Sequence, residues 1–110
     1  MELREIEDDR ALLALPFREE VVTIGDVVHG GAISALIDTA AMAAAWSAIE
    51  FEQPPKGTTV GFTVDFLSAG RGADLLADAR VLRRGSTLCF CEVRVSPAGD
   101  EGPVATGLVT

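Results

Sequence analysis

Chemistry-bearing side chains are scarce in this sequence: there are two cysteines and one histidine, and nine basic residues face seventeen acidic ones. Two cysteines with a single distant histidine do not make the spacings from which zinc sites are built, so no metal site is expected. Cys89 and Cys91 lie two apart on a stretch that reads as a strand, on one face and without the geometry of an ordinary disulfide; they read as reduced core residues. The shortage of positive charge, a net −8, excludes a general nucleic-acid role, because phosphate binding relies on clustered Lys and Arg. The basic-then-apolar order of a signal peptide is missing, since Met1 to Arg10 is acidic; nothing argues for export, and a cytoplasmic protein is expected. No internal repeat or low-complexity linker interrupts the chain. Its 110 residues suffice for one core and one site, a single domain over 1–110, but not for separate catalytic and cofactor domains.

What is present is apolar surface and an uneven charge distribution. Hydrophobic residues make up 48% of the chain, high for a small protein that must keep its surface wet, so some of that surface is expected to meet another subunit. Residues 1–70 carry four bases against twelve acids, whereas 71–94 carry five (Arg71, Arg80, Arg83, Arg84, Arg94) against Asp74, Asp78 and Glu92. An anionic ligand can be attracted locally there, within a Debye length of roughly 8–10 Å. The longest apolar stretch, Gly31 to Ile49, is close to the length of a membrane span. Eight alanines, Asp38 near its middle and no flanking basic cluster make a buried, close-packed helix the better reading.

Along the chain, Leu3 to Leu15 mixes apolar and charged residues, which suggests a short, poorly capped helix or an extended arm stopped by Pro16. Phe17 to Ile24 reads as a first strand, followed by a turn at Gly25-Asp26. Strong helix formers without internal Gly or Pro predict a central helix from about Gly31 to Ile49, ended by Gln53-Pro54-Pro55-Lys56-Gly57. Thr59 to Ser68 alternates Val60, Phe62, Val64 and Phe66 with polar or small residues, the pattern of a half-buried strand. Three more strands are expected through Asp74–Arg83, Ser86–Ser96 and Val104–Thr110. The order predicts an α+β fold in which a curved antiparallel sheet wraps one long central helix, the arrangement called a hotdog.

Two features carry chemistry. His29-Gly30-Gly31 stands where the helix begins, so backbone N–H groups there lack intrahelical partners and can hold a carbonyl oxygen gaining charge; the plain alternative is a flexible helix start. Asp38 is an ionisable group inside an otherwise apolar helix, which is expensive to bury unless paired or used. Its alternatives are an Asp facing water or bonded to a backbone amide; in an apolar cleft it suits a nucleophile or a general base. Eight residues at roughly 1.5 Å each put Asp38 about 12 Å from Gly30 along one helix. The two cannot grip one small group together, so a site using both must borrow one from a second copy in a two-fold dimer.

The run V-V-H-G-G-A-I-S-A-L-I-D-T-A-A-M-A resembles the signature of the PaaI-like hotdog acyl-CoA thioesterases, as do the strand Thr59–Leu67, the hairpin Val81–Thr87 and the last strand Val104–Gly107. The resemblance, over about residues 20–110, implies hydrolysis of an acyl-CoA thioester to free acid and CoA without metal or organic cofactor. It implies catalytic roles for Asp38 as nucleophile or base, the Gly30 amide on the carbonyl, His29 beside it and Thr59 supporting the nucleophile or water. It implies contact of Gly31 and the Arg83-Arg84-Gly85-Ser86 turn with substrate, a homodimer and a homotetramer; a solvated hairpin is the alternative for the turn. Three positions depart from the family pattern: Thr23 where relatives place an Asn, Gly61 in place of an acidic or large apolar residue, and Ala69 where Pro commonly follows. A non-catalytic acyl-thioester binder and a hotdog dehydratase or hydratase are the competing functions.

Overall fold

The computed structural model describes residues 1–47, 57–85, 87–99 and 102–110, with the side chain of Thr23 left aside. The elements run β1 (Glu2–Glu7), β2 (Arg10–Leu15), a 3-10 turn at Glu19–Val21, β3 (Val22–Ile24), β4 (Val27–Val28), α1 (Gly30–Trp46), β5 (Phe62–Phe66), β6 (Leu75–Arg84), β7 (Cys89–Pro97) and β8 (Ala105–Val109). Six strands form one antiparallel sheet in the order β1-β2-β6-β7-β8-β5, while β3 and β4 form a small separate ladder. Helix α1 lies on one face of the six-stranded sheet, the expected hotdog arrangement.

The helix docks because its apolar residues recur at the helical period: Ile33, Leu36, Ile37, Ala40, Ala41 and Ala44 are its buried stripe. The sheet answers with the alternate residues of its central strands, among them Leu13, Ala77, Ala79, Val93 and Val95, all buried. Alanine on both sides lets the backbones come close. At Gly107 of β8 an added Cβ would stand 2.7 Å from Ile37 Cγ2, so no larger residue fits beneath the helix there.

Three expectations are corrected. The segment Leu3–Leu15 is neither a helix nor a lone arm but a β-hairpin, whose second strand buries Ala11, Leu13 and Leu15 against α1 and pairs with β6. A period of two on β2 outweighs the weak helical signal, and the hairpin turns at Asp8-Asp9, with Asp9 in the left-handed region (φ 65°). The first strand expected from Phe17 is only Val22–Ile24, the preceding residues turning as 3-10. The inner-face residues Phe62 and Phe66 of β5 are 43% and 54% exposed, because β5 is an edge strand with no neighbour on one side and Val64 between them is the residue packed against the core. The helix is described to Trp46, and of the segment expected to end it, Gln53-Pro54-Pro55-Lys56-Gly57, all but Gly57 lies outside the described residues. No described helix is long and apolar enough to cross a membrane.

Candidate active site

His29 organises the start of α1. Its backbone is extended (φ −61°, ψ 132°), its C=O accepts the Ala32 and Ile33 N–H groups, and its own N–H donates to Val21 O at 2.5 Å. The imidazole Nδ1 accepts the Gly31 N–H at 2.9 Å, the part that Ser or Asp plays at most N-caps. A Cβ on Gly31 would lie 3.0 Å from that nitrogen, so glycine at 31 is what admits the ring. With the Gly31 amide taken, the Gly30 N–H has no acceptor among the described residues and sits at the positive end of a seventeen-residue helix. The Phe66 ring borders it: an added Cβ on Gly30 would meet the ring at 3.4 Å.

Two turns further on, Asp38 stands half-buried on the flank of α1. Thr59 donates its hydroxyl to Asp38 Oδ1 at 2.6 Å, at the short end of the range for an O–H donor. The partner is a side-chain hydroxyl rather than a backbone amide, and Oδ2 keeps no protein partner among the described residues. Gly30 and Asp38 share one unbroken helix, so the separation of about 12 Å stands within a single chain. The fold brings Thr59 to Asp38 and leaves Gly30 apart.

Beside this pair a cavity of about 450 Å³ opens between the second half of α1 and the β6–β7 hairpin, a size that suits a small-molecule group. Thr59 and Met42 line it next to Asp38, and Trp46, Cys91, Arg84 and Thr110 line it elsewhere. Cys91 is not its nucleophile: burial, reinforced by Cys89 with its sulfur 3.9 Å away, pushes the Cys91 thiol up to about 12. Both cysteines are free. Among the described residues Arg84 is the one charged side chain on the cavity wall.

The two arginines of the hairpin are not brought side by side. Pairing of β6 with β7 shifts register between Val81 and Arg83, so Arg83 registers with outward Phe90 and Arg84 with Cys89, on the helix face. This bulge at Leu82 re-aims the chain by one residue. Arg84 Nη2 then meets Asp9 Oδ1 at 2.6 Å, and that bond holds the guanidinium above its ordinary value against the opposing effect of burial. Gly85 forms the turn, its N–H donating to Leu88 O at 2.7 Å, while Ser86 lies outside the described residues. Sequence reasoning missed Asp9; two acidic residues between two short apolar runs were its only signal.

Residues 25–104 match the thioesterase superfamily, a stretch that holds His29, Gly30, Asp38, Thr59 and Arg84. The chain belongs to the thioesterase superfamily. It is 35% identical over 101 residues to a protein of Halobacterium salinarum that carries the name esterase, an alignment covering 89% of this chain and 66% of that one. A second protein so named, from Saccharolobus solfataricus, is 32% identical over 103 residues, covering 93% of this chain and 71% of the relative. The chain thus spans about two thirds of the length of these relatives. Among solved structures, a thioesterase family protein from Silicibacter pomeroyi superposes with a TM-score of 0.88 at 26% identity, covering 98% of this chain and 79% of that one. A Streptococcus mutans protein solved with acetyl CoA bound shares the fold of this thioesterase-superfamily chain at a TM-score of 0.86 and 20% identity, covering 98% and 83%.

Proposed function

We propose that two copies of this chain build one site that hydrolyses an acyl-CoA thioester, Asp38 of one copy acting on a carbonyl held by the Gly30 N–H of the other. The observation that carries this reading is the split along α1: an amide at the helix start with no acceptor among the described residues, and a carboxylate with its cavity two turns on. Strand β5 offers the means of joining them. It is a sheet edge with exposed Phe62 and Phe66, and its two ends are the two half-sites, since Phe66 borders Gly30 and Thr59, just before the strand, bonds Asp38. Antiparallel pairing of β5 with its own copy exchanges those ends, which carries Gly30 of the partner subunit towards Asp38. The exposed helix residues Gly31, Ala35 and Thr39 are small enough for two such helices to lie close.

The chemistry follows from the groups. As the thioester carbon becomes tetrahedral, its oxygen gains negative charge that the Gly30 N–H and helix dipole stabilise, an effect worth about 100-fold or more in rate. Asp38 either adds to that carbon, expelling CoA as thiolate and leaving an anhydride that water opens, or takes a proton from water whose oxygen adds instead. Either way the C–S bond breaks and the products are a carboxylic acid and CoA. Thr59 orients the carboxylate, and Arg84 at the cavity supplies a cation for a CoA phosphate. The scheme uses no metal or organic cofactor. That the S. mutans protein holds acetyl CoA in this fold supports a thioester of this kind.

Complementation tests the shared site. Gly30→Pro removes the N–H at the first helical position, where proline is well tolerated and the extended His29 accommodates it. Asp38→Asn and Gly30→Pro should each release almost no thiol from acyl-CoAs. Refolded together, they should regain about a quarter of wild-type activity, because half the dimers are mixed and each mixed dimer has one intact site. Mixed dimers as inactive as their parents would sink the proposal.

A further inference from the structure

Resting on the reading that this site takes a CoA thioester, we propose that Asp9 is a built-in counter-ion that occupies Arg84 until a substrate phosphate displaces it, so that the β1–β2 turn sets the affinity for phosphate-bearing thioesters. The pair is short, 2.6 Å, yet open to solvent, with the Arg84 side chain 32% and the Asp9 side chain 49% exposed. An exposed ion pair of this kind is weak enough for a phosphate to replace.

The two partners are held differently. Asp9 is pinned by its backbone: its N–H donates to Ser47 Oγ at 2.7 Å, the Ser47 hydroxyl donates to Ala44 O at 2.6 Å, and its C=O accepts the Val81 N–H at 2.9 Å. The turn is therefore tied to the end of α1 and to β6 at once, and its carboxylate cannot follow a departing partner far. Arg84 ends β6 beside the Gly85 turn on a long flexible side chain, and it can swing to a new acceptor while staying on the cavity wall. In a chain of net charge −8 the one cation on the cavity wall among the described residues is Arg84, and at rest Asp9 cancels it. A thioester lacking the nucleotide has nothing with which to make the exchange.

Calorimetric binding of coenzyme A and of pantetheine, neither needing turnover, tests this on wild type, Asp9→Asn, Arg84→Ala and the double variant. Asparagine tolerates the left-handed φ of position 9 and keeps both backbone hydrogen bonds. Arg84→Ala should weaken CoA about ten-fold, Asp9→Asn should tighten it about two- to five-fold, and the double variant should match Arg84→Ala alone. Pantetheine should bind all four alike. If Arg84→Ala weakens CoA but Asp9→Asn does not tighten it, or tightens it equally without Arg84, the counter-ion proposal falls by itself. If Arg84→Ala leaves CoA unchanged, the assignment of the cavity's arginine to a CoA phosphate falls and takes the proposal with it.

Discussion

The two halves of helix α1 are equipped in opposite ways. Its first turn offers an N–H unclaimed among the described residues and a histidine that has spent its own acceptor on Gly31, with the Phe66 ring beside it. Its middle and second half offer a carboxylate, a hydroxyl and a cavity, but helical N–H groups there are bonded within the helix and none is free to hold an oxygen. One end can bear negative charge developing on a substrate, and the other can deliver a nucleophile. A single straight helix cannot fold these onto one carbonyl, and that difference is what the proposal of a site shared between two copies answers.

The sharpest way to break that comparison is to remove the carboxylate. Asp38→Asn should lower kcat about 100-fold or more in a thiol-release assay, with the circular dichroism spectrum unchanged; loss of fold would make Asp38 structural instead. Next, Gly30→Pro should lower kcat about 100-fold while substrate affinity stays close to wild type, the mark of a group felt mainly in the transition state. An equal loss in affinity alone would place Gly30 in ground-state binding. The smallest expected effect is at Thr59. Replacing it by Val keeps the shape and removes the donor to Oδ1, and should cost about ten-fold in kcat with KM little altered. Unchanged turnover would mean that Asp38 needs no orienting hydroxyl.

Much of the fold was legible because periodicity speaks directly of faces. The helical spacing of Ile33, Leu36, Ile37 and Ala40 and the alternation through Leu75–Ala79 and Cys91–Val95 identify the core without coordinates. The N-terminal hairpin was not legible, since Glu and Arg between its few apolar residues blur both periods, and its strand form is settled by pairing with β6. The exposure of Phe62 and Phe66 was hidden for a similar reason: alternation marks a face but cannot say whether the strand lies in the middle or at the edge of a sheet.

The candidate site divides along the same line. Residue order alone determined that Gly30 and Asp38 share a helix and stand about 12 Å apart, because helical rise per residue is a property of the backbone and needs no tertiary partner. The resemblance implied a supporting role for Thr59, but its position twenty-one residues on says nothing of a bond to Asp38, which the tertiary structure supplies; only the tertiary structure decided that Arg84 rather than Arg83 reaches the cavity and meets Asp9. A one-residue bulge reverses which side chains face the helix, and that bulge arises from pairing with a neighbouring strand, an interaction absent from any local stretch of sequence.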